Sequence, residues 1–157
     1  MDDFKTSIEL LFKALEEEES DGGQDDIFIS QVYVSLGRSY RKVEAYEKSI
    51  SYYEQSIELS REFGDDQILI FGFNGIAETY ILNSQWDKAY ENLNNARKLS
   101  LNKDNSLFPL NCALFARVKI EMEEFDSAQY YLELGEQEVQ GWEQNLKDLV
   151  IIYKYYA

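Results

Sequence analysis

Two pairs of adjacent carboxylates are the residues of this 157-residue sequence that most resemble acid–base or metal-binding groups. They are Asp25 with Asp26 and Asp65 with Asp66, and 40 residues separate the two pairs. Each pair stands just before a segment with helical periodicity, where an aspartate can accept hydrogen bonds from the first backbone N–H groups of a helix. Helix capping therefore explains these carboxylates better than catalysis does.

Other common components of an active site are missing from the sequence. It contains no histidine, the commonest general base and metal ligand. Cys112, the single cysteine, falls at a core position of a helical segment, which predicts a buried structural thiol. The glycine pair at Gly72 and Gly75 lacks the lysine and the spacing of a phosphate-binding loop. We therefore predict that the protein is not an enzyme and has no metal site and no cofactor.

The composition predicts one folded, all-α domain. Hydrophobic residues make up 45% of the chain, and they recur at intervals of three and four residues. The net charge of −15 argues against nucleic acid or an anionic membrane surface as a partner. No apolar run approaches the roughly 18 residues of a membrane span. The single cysteine and the absence of a signal peptide predict a cytoplasmic protein.

A short pattern that recurs about every 40 residues gives the sequence its organisation. It consists of an aromatic residue, two polar residues and a small residue, and successive copies are 42, 40 and 39 residues apart. A bulky residue follows each aromatic after seven positions. Such a period is typical of stacked helical repeats, in which neighbouring units bury one another's apolar faces. The aromatic residues that begin the four copies are Phe4, Tyr46, Trp86 and Phe125.

The segment Leu36-Gly37-Arg38-Ser39-Tyr40, followed by Ser49, Tyr53 and Ser56, resembles the tetratricopeptide repeat. Gly37, with Ala77 and Ala116 in the same register, removes side-chain bulk where two helices come close. Three features depart from the family pattern: the usual proline is absent, the period is near 40, and Lys119 replaces a tyrosine. The resemblance implies antiparallel helix pairs stacked in a right-handed superhelix, an α-solenoid. The core residues predicted from it are Leu36, Tyr40, Tyr53, Ile76, Tyr80, Leu93, Phe115 and Leu132.

These patterns predict about eight helices in a single repeat domain over residues 1–157. Residues 1–19 match a second helix without its first, and 142–157 form a terminal helix. Because the repeat pattern begins and ends within a unit, we expect a fragment of a longer protein. The alternative, that 142–156 is a complete capping helix, stays open. The apolar ends predict a homodimer through the terminal helices. Between the ends, the three helix pairs are predicted at residues 27–62, 67–101 and 107–140.

In this family the first helix of each unit lines a concave groove. Helical spacing places positions two, five, nine and twelve in it, counted from Ser30, Ile70 and Pro109 in the three units. The set contains three arginines and one glutamate in an acidic chain, which favours anionic or carboxylate-bearing peptides. Asn74 can bond a peptide backbone. The alternative, that Arg38 and Arg117 pair with Glu78, stays open, and the lysines of the family's carboxylate clamp are absent. The predicted peptide-binding residues are Arg38, Arg41, Phe71, Asn74, Glu78, Leu110 and Arg117.

We therefore expect a protein- or peptide-binding repeat module that serves as an interaction scaffold in a signalling or regulatory protein. The alternative is a ligand-sensing regulatory domain. The long helices also resemble those of bacterial peptide-pheromone receptors, in which a ligand alters the curvature of the array.

Overall fold

The computed structural model describes residues 2–20, 25–100 and 107–138. Within these ranges the chain is α-helical and contains no strand. The three helix pairs begin within one residue of the predicted positions 27, 67 and 107, and the predicted terminal helix at 142–157 lies outside the described residues. The seven described helices are α1 (Asp2–Ser20), α2 (Asp26–Lys42), α3 (Tyr46–Phe63), α4 (Asp66–Leu82), α5 (Trp86–Ser100), α6 (Phe108–Glu121) and α7 (Phe125–Glu138).

The carboxylate pairs cap helices, as their positions predict. Asp25 accepts a hydrogen bond from the backbone N–H of Phe28 at 3.0 Å, and Asp65 accepts one from Ile68 at the same distance. The third unit begins differently, because Pro109 stands in the first turn of α6, where its missing N–H costs no hydrogen bond.

The turn inside each helix pair has the same geometry in all three units. The second of its three residues adopts a left-handed conformation, with φ of 60° at Glu44, 54° at Ser84 and 60° at Glu123. The backbone N–H after it donates to the carbonyl at the tyrosine position of the repeat, and Lys119 takes that position in the third unit without changing the turn. The replacement of tyrosine by Lys119 therefore leaves the helix pair intact.

The helices form an inner and an outer layer. The inner helices α2, α4 and α6 contact one another in order, whereas no Cα atoms of α3 and α5, or of α5 and α7, lie within 8 Å of each other. The outer helices α3, α5 and α7 pack mainly against the inner ones. This closer spacing of the inner helices places them on the concave side of the array.

The core follows the predicted register with two exceptions. Tyr40 and Tyr80 are only half-buried, so the prediction that they are buried is wrong. The ammonium groups of Lys48 and Lys88 lie 5.3 Å from the centroids of these rings. Each ring thus lies at the edge of the core, under a lysine. The other predicted core residues are buried: Leu36, Tyr53, Ile76, Leu93, Phe115 and Leu132.

Candidate groove on the inner helices

The structure divides the predicted groove positions into two sets. The second and ninth positions of the inner helices retain solvent exposure, whereas the fifth and twelfth positions of α4, Asn74 and Ile81, are buried. Arg41, at the twelfth position of α2, is buried as well. We call the exposed set the inner face; it comprises Gln31, Arg38, Phe71, Glu78, Leu110 and Arg117.

Arg41 and Glu78 form an ion pair that joins α2 to α4. Their charged atoms lie 2.5 Å apart, and the guanidinium also reaches the carbonyl of Gly75 at 3.5 Å. Arg41 is 8% exposed and Glu78 is 33% exposed. The sequence-based alternative anticipated that Glu78 pairs with a groove arginine, but its partner in the structure is Arg41 rather than Arg38 or Arg117. Arg41 therefore holds two helices together beneath the inner face.

Arg38 lies on the inner face beside the hydroxyl end of Tyr53. Burial raises the pKa of the Tyr53 phenol, while Arg41 and a hydrogen bond from Arg38 act to lower it. The Tyr53 ring itself is fully buried between inner helices. The hydroxyl group therefore links the core of the first unit to the exposed guanidinium of Arg38, a link that the sequence did not reveal.

Phe71 gives the inner face an exposed aromatic ring. It belongs to α4, which packs against α2, α3, α5 and α6 and buries most of its apolar side chains. Phe71 is nonetheless 37% exposed. On α6, Leu110 is half-buried at the same register. The inner face thus has apolar side chains at the second position on α4 and α6, the polar Gln31 at that position on α2, and charged side chains at the ninth position on all three helices.

Asn74 lies beneath the inner face and contacts α6. Its Oδ1 accepts a hydrogen bond from Nδ2 of Asn111 at 3.0 Å, and the same Nδ2 donates to the Leu93 carbonyl at 3.1 Å. Sequence analysis did not select Asn111. A signal was present, because it is the only polar residue in the apolar run from Pro109 to Ala116 apart from the thiol of Cys112.

No group of three or more metal-ligating side chains occurs among the described residues. None of the described helices combines the length and apolar character that crossing a bilayer requires.

The comparisons with known proteins agree with this architecture. Residues 32–67 match the family model of the tetratricopeptide repeat, a span that covers most of α2, all of α3 and the start of α4. No curated protein matches the chain. The turn, the packing register and the inner–outer layering of the matched unit recur in the units that follow. Residues 32–67 therefore carry a tetratricopeptide repeat, and the helix pairs that follow stack in the same way.

Proposed function

We propose that this chain binds a protein or peptide segment along the inner face of α2, α4 and α6, as the interaction module of a signalling or regulatory protein. The exposure of Phe71 is the observation that carries the proposal. An aromatic side chain that is 37% exposed on the most enclosed helix is an anchor for a partner's apolar residue. Tetratricopeptide repeats are in general protein-interaction modules, and an inner face of this kind suits an extended or helical segment.

The charges of the inner face favour an anionic segment. Arg41 is neutralised by Glu78, so Arg38 and Arg117 supply the positive charge that faces a ligand. Guanidinium groups bind carboxylates through two parallel hydrogen bonds. Arg38 and Arg117 occupy the same register on α2 and α6, and Phe71 lies about two helical turns earlier on α4. This arrangement supports recognition of acidic groups displaced along the segment from an apolar residue.

The test is a selection of peptides from a random display library on the full chain. Selected peptides should bind wild-type protein and lose at least tenfold in affinity for Phe71→Ser. The matched control is Tyr130→Ser, because Tyr130 is an exposed aromatic on the outer helix α7. If the selected peptides bind Phe71→Ser with unchanged affinity but do not bind Tyr130→Ser, the binding site lies on the outer surface instead.

A second pair of variants tests the charge preference. Arg38→Glu combined with Arg117→Glu should abolish binding of acidic peptides and leave the helical circular dichroism signal and Tm nearly unchanged. Arg61→Glu on the outer helix α3 is the control for the change in charge. Acidic peptides that bind the double variant as well as wild type would contradict the anionic specificity.

The sensor alternative has one supporting observation. The inner helices meet through polar contacts directly beneath the inner face, Arg41 with Glu78 and Asn74 with Asn111. A ligand that competes for these groups would alter the angle between units. Small-angle scattering with and without a selected peptide separates the two functions, because a passive scaffold keeps its radius of gyration and a sensor changes it.

Self-association through the ends is a separate proposal. Leu10 on α1 is 60% exposed and, with Thr6, Ser7 and Leu11, lines a cavity of about 380 Å³. Light scattering should show a mass that rises with concentration for wild type and stays monomeric for Leu10→Glu. A wild-type monomer at the highest concentration would end this proposal.

A further inference from the structure

Two buried side-chain amides meet where α4 contacts α6. Asn74 is 3% exposed and Asn111 is fully buried. Asn111 uses both hydrogens of its Nδ2, one toward Oδ1 of Asn74 and one toward the carbonyl of Leu93 on α5. Three helices therefore converge on this one amide group.

The Leu93 carbonyl determines the orientation of both side-chain amides, that is, which position holds Oδ1 and which holds Nδ2. A carbonyl oxygen can only accept, so the Asn111 atom that faces it must be nitrogen. That nitrogen also faces Asn74, and the atom of Asn74 that meets it must then be oxygen. The network thus assigns both orientations on chemical grounds, which matters because the two ends of an amide look alike at ordinary resolution.

This arrangement leaves one donor and one acceptor unused. Nδ2 of Asn74 and Oδ1 of Asn111 are both buried and have no hydrogen-bond partner among the described residues. Buried polar groups in folded proteins are almost always hydrogen-bonded, and each exception calls for an explanation. Here the two exceptions are complementary, and they belong to amides already joined to each other.

We propose that Asn74 and Asn111 form a subsite that binds a primary carboxamide, the side chain of a glutamine or asparagine in the bound segment. Such a group carries an acceptor oxygen and a donor N–H on the same side, which matches the donor of Asn74 and the acceptor of Asn111. A carboxylate has no donor for Oδ1 of Asn111. A trans peptide unit points its oxygen and its N–H in opposite directions and cannot satisfy both atoms.

The position of Asn74 on α4 connects the subsite to the inner face. Phe71 lies one turn before it and Glu78 one turn after it, and both retain solvent exposure. The proposal rests on the proposed function, because the carboxamide must belong to a segment lying along this face. Both unused atoms are sealed from solvent, so the side chains that cover them must move apart as the carboxamide enters.

The test uses three small probes on the ¹⁵N-labelled full chain: propionamide, N-methylacetamide and propionate. Propionamide represents a glutamine side chain, N-methylacetamide a backbone unit and propionate a carboxylate. Propionamide should shift the Asn74 and Asn111 side-chain resonances saturably, with an affinity at least tenfold higher than that of the other two. Equal shifts with all three probes, or no shift with any, would overturn the subsite, and so would a long-lived water at Asn74 that propionamide does not displace.

Variants separate the subsite from the fold and from the groove. Asn74→Asp keeps the shape and the acceptor but removes the donor, so propionamide binding should be lost. Asn94→Asp is the control, since Asn94 bonds only to a carbonyl of its own helix among the hydrogen bonds described for it. If Asn74→Asp unfolds, the preference among the three probes on wild-type protein still decides. Display-selected peptides that depend on Phe71 but show no enrichment of glutamine or asparagine would leave the proposed function standing and reject the subsite.

Discussion

The two joints between successive units follow the same backbone plan with opposite side-chain choices. We define the first joint as the packing of α3 between α2 and α4, and the second as the packing of α5 between α4 and α6. At the centre of the first joint lies Tyr53, and Leu93 occupies the same register in the second. A Cβ added at Gly37 would lie 2.9 Å from the Tyr53 ring, and one added at Gly75 would clash with the ring outright.

The second joint distributes its volume the other way. In the register of Gly75 it has Leu114, which packs in one buried cluster with Leu93 and Phe115. The first joint thus has a large tyrosine on its outer helix and one glycine on each inner helix. The second joint has a smaller leucine on its outer helix, with Ala77 and Leu114 on the inner helices. Close packing constrains the total volume at a joint more strictly than the residue at any one position.

The two joints also place their polar contacts at different positions. Ser49 and Thr79 place their hydroxyl oxygens 3.0 Å apart in the first joint, and the residues in their register at the second are Ala89 and Val118. The second joint instead contains Asn111, which bonds the carbonyl of Leu93. A repeat can therefore place its hydrogen bonds on hydroxyls or on amides while the register is preserved.

The largest effect is expected when Gly75 in the first joint is replaced by leucine, the residue at the same register in the second joint. Gly75→Leu forces the Tyr53 ring out of its site, and overpacking of this severity should cost about 3 kcal/mol of unfolding free energy. Urea unfolding followed by circular dichroism measures the loss.

Adding Tyr53→Leu to Gly75→Leu should recover a large part of this loss, because the double variant reproduces the pairing of Leu93 with Leu114. Tyr53→Leu alone is the necessary third variant, and it should be destabilising through the cavity it leaves. If the losses of unfolding free energy from the two single variants simply add in the double variant, then the Tyr53 ring is not the reason why position 75 is a glycine.

The ion pair of the first joint gives the next effect. Glu78→Ala leaves the buried guanidinium of Arg41 without its carboxylate, and we expect a loss of about 2 kcal/mol, below the value for fully buried pairs because Glu78 is one-third exposed. Arg41→Met combined with Glu78→Met should return to within about 1 kcal/mol of wild type. Thermal unfolding provides the comparison, and a double variant worse than Glu78→Ala would contradict it.

A smaller effect is expected from the hydroxyl cluster of the first unit. Ser30 lies 2.6 Å from the hydroxyl of Ser60 and 3.0 Å from that of Ser56, and all three are buried. Ser30→Ala should cost about 1 kcal/mol, because it removes the side-chain partner of the buried Ser60 hydroxyl, whereas Ser56 keeps its hydrogen bond to the carbonyl of residue 30. Ser100→Ala is the matched control at the register of Ser60, and its loss should be smaller, since Ser100 donates to Ala96 within its own helix.

The comparison of the joints also shows what the sequence could predict. The helices and their starts follow from the repeated small and bulky residues, because these mark close helix contacts directly. The sequence did not show which of the predicted groove positions are buried. Arg38 and Arg41 were both predicted to face the groove, yet Arg38 is exposed, and Arg41 is buried with Glu78 and the Gly75 carbonyl as its partners. The role of Asn111 could not be predicted from the sequence, because its partners lie on two other helices.

The smallest effect concerns the Tyr53 hydroxyl at alkaline pH. Burial raises its pKa above the ordinary value of 10.0, Glu78 acts in the same direction, and Arg41 and Arg38 oppose it. The unfolded chain therefore releases this proton at a lower pH than the folded chain does. The corresponding stabilisation is fully present below about pH 10 and is lost as the pH rises through the folded pKa.

Tyr53→Phe should accordingly flatten the decline in unfolding free energy above about pH 10, at a modest cost at neutral pH from the lost hydrogen bond with Arg38. Tyr130→Phe on α7 is the control, since Tyr130 is 55% exposed and should leave the profile unchanged. Leu93 has no hydroxyl, so the equivalent position of the second joint makes no such contribution. Burial also raises the pKa of Tyr80 and Tyr131, and both tyrosines are the same in wild type and in Tyr53→Phe. A profile for Tyr53→Phe that is parallel to wild type would assign the alkaline decline to groups outside that joint.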